Sequence, residues 1–143
     1  MVGNKTALSE ELVAAYSSTN FEVHAETRFV LKVGEFNENL KLIFSQLNQM
    51  TACFITAYNP ESIEQSVFEN DSAQGKLYED LVSLDCTIFN GFGSDPDGNW
   101  EGEPSFFASG ITLIDAKNLG KKYRQNAIVW CDQKCIPELV LLR

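Results

Sequence analysis

Apolar positions along this chain recur with two periods, and the period switches several times. Ser9 followed by Glu10 and Glu11 sets a capping hydroxyl and two acids at the positive end of a helix dipole. Leu12, Val13 and Tyr16 then give an apolar stripe, which predicts a helix ending near Asn20. Residues 21–33 are rich in β-branched and aromatic side chains with partial alternation, and read as one strand or two broken strands stopped by Gly34. After Asn37, Leu40, Ile43, Phe44 and Leu47 return at helical spacing, predicting a second amphipathic helix.

Residues 51–58 are almost continuously apolar, as expected of a central strand covered on both faces, and Asn59-Pro60 ends the run. Ile63, Val67, Leu77, Leu81 and Leu84 predict a long helix over 62–84, with residues 70–75 weak enough to kink or split it. Residues 86–92 read as a strand, 93–104 as the most loop-like stretch, and 105–111 as a further strand. Thr112-x-x-Asp115 has capping-box spacing and opens a helix that closes at Leu119-Gly120 or slightly later. Residues 126–131 and 136–142 complete a terminal hairpin. The alternation predicts one α+β domain over 1–143: a mixed β-sheet of about five strands with packed helices and a C-terminal antiparallel hairpin. Residues 1–49 form an N-terminal helix/strand/helix extension to an α/β core at 50–142.

Charge narrows the range of partners. The chain has 11 Lys+Arg against 20 Asp+Glu, a net charge of −9, so it should repel a phosphate backbone, and nucleic-acid binding is not expected. The excess sits in residues 51–110, with 1 basic and 11 acidic side chains, whereas Lys117, Lys121, Lys122 and Arg124 make the C-terminal part basic. That basic group suits a solvated helix C-terminus or a local anion site. No run approaches the ~20 apolar residues of a bilayer span, and the polar N-terminus is no signal peptide, so the expectation is a cytoplasmic protein without a membrane partner. Cys53, Cys86, Cys131 and Cys135 are too scattered for metal knuckles and read as small hydrophobes, with a Cys131–Cys135 bond conceivable across the hairpin loop.

Catalytic motifs are sparse. His24 is the single histidine and lies far from the polar clusters, which argues against a Ser-His or Cys-His pair. No phosphate-binding glycine loop precedes a helix, and Gly91-Phe92-Gly93 matches only a fragment of one. Asp95-Pro96-Asp97-Gly98 crowds oxygens into a turn, but its glycine falls fourth rather than sixth, as an Asx turn requires and an EF-hand does not. Neither metal nor cofactor is expected.

Polar residues collect instead at the ends of buried-looking strands: Tyr58-Asn59-Pro60, Trp100 with Glu103-Pro104-Ser105, and Arg124-Gln125-Asn126. Strand ends are where loops gather on a rigid frame. The order of these motifs, with Asn70, Leu77 and Leu81, Gly91, Gly93, Asp95-Pro96, Gly98, Gly110 and Leu119-Gly120, resembles the bacterial domain-of-unknown-function family 3293 over about residues 50–142. That family often has Phe-Gly where this chain has Tyr123-Arg124. The resemblance implies a fold and a set of residues rather than a reaction.

Amides donate and accept without ionising near neutral pH, and Tyr58 and Trp100 offer flat faces with a polar handle each, an inventory suited to recognition. The leading expectation is a non-catalytic module holding a small polar or nucleotide-like ligand among Tyr58, Asn59, Trp100, Glu103, Ser105, Arg124, Gln125 and Asn126. Two alternatives stand beside it: an acidic inhibitor or adaptor acting on a basic protein partner, and a cofactorless hydrolase with Glu103 as base assisted by Tyr58 or Ser105. A shared mouth requires that the strands bearing Tyr58-Asn59 and Gln125-Asn126 run antiparallel, or that Gln125 and Asn126 lie in a loop returning across that edge. Side chains of the two pairs are then expected within about 8 Å, because buried polar ends need partners.

Overall fold

A computed structural model describes residues 6–143. Its elements are helix α1 (Glu10–Ser18), strands β1 (Asn20–Val23) and β2 (Phe29–Leu31), helix α2 (Glu38–Leu47), strand β3 (Ala52–Ile55), helix α3 (Val67–Ser83), strands β4 (Thr87–Ser94) and β5 (Glu103–Ser109), helix α4 (Leu113–Lys122), and strands β6 (Ala127–Cys131) and β7 (Glu138–Leu141). Caps fix the helix starts, at Ser9 and Thr112 as the sequence suggests and at Asn37 besides. The side chains of Ser9, Asn37 and Thr112 accept from the amides of Leu12, of Asn39 and Leu40, and of Asp115. None of the helices among the described residues is long and apolar enough to cross a membrane.

The strands form one sheet in the order β2-β1-β4-β5-β3-β6-β7, seven strands rather than about five. Every neighbouring pair is antiparallel, not mixed. The expectation of parallel crossovers holds one position further out. β3 leads through α3 to β4, which runs parallel to it, but β5 lies between them; β5 leads through α4 to β6, and β3 lies between those. Two interlocked βαβ units thus fill each other's gaps, the connectivity of a split βαβ domain. The β1–β2 hairpin extends this sheet beyond β4, and β7 extends it beyond β6.

Each face carries its own core. Leu77 and Leu81 of α3 and Ala116 and Leu119 of α4 pack with Cys53, Ile55, Phe106, Ala108, Ile128 and Trp130. Leu40, Ile43 and Phe44 of α2 pack on the opposite face with Phe21, Val23, Phe54, Phe107 and Val129. Alternation along β5 and β6 divides the residues between the faces, so a strand buried on both sides reads as nearly continuous in apolar residues. All four cysteines are free thiols, and burial pushes the thiols of Cys53 and Cys131 well above their ordinary range.

Helix α3 is shorter than the 62–84 expectation and is not split. Ser66 caps it by accepting from the Glu69 amide at 3.1 Å, and Pro60–Ser62 forms a separate 3-10 turn. The polar stretch at 70–75 does not break the helix because its amides face inward. Asn70 and Gln74 are buried in line with Leu77 and Leu81, and tie down the chain leaving β3.

Candidate functional site

Between α1, the sheet and the β4–β5 loop lies a cavity of about 470 Å³. It occupies the part of the α2 face that α2 leaves open, at the end where β3 and β4 finish and β5 and β6 begin. Phe54, Val129 and Phe21 provide an apolar base, Leu12 and Ala15 of α1 a roof, and Trp100 a side wall. Small side chains make the room. Gly93 pairs in register with Phe21 and with Glu103, and a Cβ placed on it would meet nothing nearer than the Thr19 methyl at 3.8 Å. Gly91, one pleat back, is filled differently: a Cβ there would lie 2.6 Å from the Phe54 ring and 2.9 Å from the Glu22 carbonyl. Phe54 leans over Gly91 to meet Phe21 edge-on, with ring centroids 5.1 Å apart.

Five of the residues singled out from the sequence line this cavity: Asn59, Trp100, Glu103, Ser105 and Gln125. Tyr58, Arg124 and Asn126 do not. β3 ends at Ile55, and the chain leaving it turns Tyr58 toward α3 instead of continuing the strand's alternation; there its hydroxyl donates to Asp71 at 2.5 Å, and that bond is the main reason its pKa is pushed up to about 12. Arg124 is exposed and binds Glu61 at 3.2 Å. Asn126 is fully buried behind the lining, donating to the Tyr16 hydroxyl at 3.2 Å and Ser62 Oγ at 3.0 Å, and accepting from Arg143 at 3.2 Å.

Antiparallel pairing of β3 with β6 brings the two polar clusters together. Gln125 Nε2 donates to the Tyr58 carbonyl at 3.1 Å and to the Tyr123 carbonyl at 3.3 Å. Asn59 is the centre of a closed network. Its amide donates to Asn70 Oδ1 at 2.9 Å, its Oδ1 accepts from Asn70 Nδ2 at 2.9 Å, and its Nδ2 donates to Glu103 Oε2 at 2.9 Å. Gln74 accepts from the Ala57 amide at 2.8 Å and donates to the Pro104 carbonyl at 3.2 Å, joining β3 to β5.

Strain gathers at the same place. Asn59, Glu61 and Ser62 have φ of 44°, 57° and 61°, in the left-handed region that costs a side-chain-bearing residue of order 1 kcal/mol or more. Their conformation is held by the Asn59–Asn70 pair, by the Glu61 amide donating to the Arg124 carbonyl at 2.8 Å, and by Ser62 Oγ bonded to the Tyr16 hydroxyl at 2.9 Å. Gln74, Ser62 and Tyr16 were not singled out as site residues in the sequence, and Asn70 entered only as part of the family pattern. Their signal was polarity on an otherwise amphipathic helix, and a serine next to Asn-Pro.

Burial raises the Glu103 carboxyl above its ordinary pKa, and the hydrogen bond from Asn59 opposes the shift. In the β4–β5 loop, Asp95 accepts from the Asp97 amide at 3.0 Å and the Asn99 amide at 2.8 Å, the Asx turn expected of that sequence. That loop carries Trp100, 37% exposed, to the cavity edge.

The fold is thus an α+β domain with a ligand-sized cavity at the strand ends. Residues 55–128 match the family described as protein of unknown function (DUF3293), and the chain belongs to that family. The matched span runs from the end of β3 through α3, β4, β5 and α4 into β6, and so contains the Asn59 network, Trp100 and Gln125. No curated protein and no solved structure matches the chain.

Proposed function

We propose that this protein is a binding module that holds a small ligand in the strand-end cavity. The observation that carries the reading is a 470 Å³ space with an apolar base, a tryptophan wall and polar groups on one side, within the 300–1,000 Å³ range of small-molecule sites. The Asn59–Asn70–Glu103 network supports it, because those residues hold a strained turn in one geometry before any ligand arrives. The hydrolase alternative has less support. The Tyr58 hydroxyl is engaged by Asp71, and the Ser105 hydroxyl donates to the Glu103 backbone carbonyl at 3.2 Å, so neither assistant is offered to a substrate beside the Glu103 carboxylate. The acidic residues of 51–110 are distributed over the 61–64 turn, α3, Asp85, the β4–β5 loop and Glu103 of β5.

Thermal unfolding against a panel of metabolites tests the proposal, with Gly93→Leu as the control that fills the cavity. A compound at 100 times its Kd should stabilise the native protein by about 2.7 kcal/mol and leave Gly93→Leu unmoved. Equal stabilisation of both proteins by every active compound would place binding elsewhere.

A further inference from the structure

The hydrogen-bonding inventory of the cavity is lopsided. Thr56 Oγ1 donates to the Pro104 carbonyl at 2.7 Å, Ser105 Oγ to the Glu103 carbonyl at 3.2 Å, and Thr19 Oγ1 to the Ala15 carbonyl at 2.7 Å. One side-chain amide proton of Asn59 goes to Glu103 Oε2, and the two of Gln125 go to the Tyr58 and Tyr123 carbonyls. Among the side chains of the described residues, what remains for a ligand is one hydroxyl proton of the Tyr16–Ser62 pair, the second amide proton of Asn59 and the Trp100 N–H.

The acceptors are in the opposite state. Glu103 Oε2 is bonded to Asn59, but no donor among the described residues reaches Glu103 Oε1, and none reaches Gln125 Oε1. The orientation of both amides is set by their partners: Gln125 faces two carbonyls and Asn59 a carboxylate, each of which requires the NH₂ end. The acids Glu64, Glu101 and Glu103 line the cavity, and among the described residues no Lys, Arg or His does. A phosphate or carboxylate would enter without a cation to meet it, and would face carboxylates across an apolar base, where desolvated like charges repel strongly. A cation finds Glu103 on one side and the Trp100 ring on another, the pairing that stabilises ammonium groups against aromatic faces.

Resting on the binding-module reading, we infer that the ligand is an amphipathic amine: a flat or aliphatic body on Phe54, Val129 and Trp100, with a protonated nitrogen donating to Glu103 Oε1 and Gln125 Oε1. This is narrower than a small polar or nucleotide-like molecule, and it excludes a ligand whose binding depends on a phosphate.

Three probes that share one ring and differ in charge test it: 2-phenylethylamine, 2-phenylethanol and 3-phenylpropionate. Each is titrated into the ¹⁵N-labelled protein near neutral pH, following the amide signals of Trp100, Glu103 and Gln125. The amine should bind most tightly and the carboxylate least, with a gap of roughly tenfold or more, the contribution of one charge-assisted hydrogen bond. Glu103→Gln keeps an acceptor for Asn59 and should bring the amine and carboxylate within about threefold of each other. Should Glu103→Gln not fold, the order of the probes on the wild-type protein decides alone. Binding of the carboxylate as tightly as the amine would overturn the inference and leave the binding-module reading standing. An amine preference that survives in folded Glu103→Gln would overturn the role of Glu103. No movement of those signals with any probe at about 10 mM, where even weak fragments bind, would overturn both readings.

Discussion

One methyl group, placed at two positions on the same face of the same strand, measures whether the cavity exists in solution. Gly91 and Gly93 of β4 are two residues apart, so their added Cβ atoms point to one side of the sheet. At Gly91 the new carbon meets the Phe54 ring at 2.6 and 2.9 Å and the Glu22 carbonyl at 2.9 Å. The ring is packed against Phe21 and the carbonyl is strand backbone, so neither gives way cheaply. Overpacking of this kind costs about 1–3 kcal/mol, against which alanine in a strand recovers about 0.5–1 kcal/mol of backbone entropy. At Gly93 the nearest atom is 3.8 Å away, an ordinary contact, and only the entropic gain remains. Gly91→Ala should therefore lose about 1–2 kcal/mol and Gly93→Ala gain about 0.5, a separation near 2 kcal/mol. Urea unfolding followed by fluorescence at a common m-value reads both directly. Loss of stability in Gly93→Ala equal to that in Gly91→Ala would mean that the space beside Gly93 is closed, and the site would lose its base.

Glu103→Gln should change stability in a pH-dependent way. Burial raises the folded pKa above the ordinary 4.5, so between the two values the native state holds more protons than the unfolded chain, and wild-type stability falls as pH rises through that window. The variant should be the more stable protein at about pH 7 and lose that advantage near pH 4, as thermal melts at the two pH values would show; a constant difference would contradict the buried-carboxyl reading. Arg124→Gly should be neutral or stabilising by up to about 1 kcal/mol, because Arg124 holds φ 57° at the end of α4, while its exposed ion pair with Glu61 contributes little. A loss above about 1 kcal/mol in urea unfolding would mean that the guanidinium is part of the turn's support. Asn70→Ala should cost about 1–3 kcal/mol, since it leaves the Asn59 backbone amide without its partner and takes one of two donors from Asn59 Oδ1, and should weaken amine probes in the same titration; an unchanged protein would show the network to be dispensable.

Local chemistry was readable from the chain wherever a single residue determines it. Ser9 and Thr112 cap helices as their spacing indicates, Asn37 caps the helix expected after it, and the Asp95 turn closes on itself. Sheet order was harder to read, because helical crossovers establish that β3 and β4 run in the same direction but not that β5 comes between them. At the site, proximity in sequence misled. Tyr58 and Asn59 are adjacent, yet the chain breaks the strand's alternation after Ile55 and sends one to Asp71 on α3 and the left-handed Asn59 to the cavity, and Arg124 and Asn126 turn away from the space that Gln125 faces. Asn70 and Gln74 looked like flaws in a helix because their partners, Asn59 and Ala57, are made neighbours only by packing.

The most direct test is a crystal structure of the gently purified protein soaked with 2-phenylethylamine. The ring should lie between Trp100 and Phe54, with the nitrogen within hydrogen-bonding reach of Glu103 Oε1 and Gln125 Oε1, about 2.7–3.1 Å, and with the Asn59–Asn70–Glu103 network unchanged. An amine bound instead in the groove beside Lys76, Lys122 and Tyr123, or a Trp100 loop collapsed into an unoccupied cavity, would contradict the assignment of this space as the ligand site.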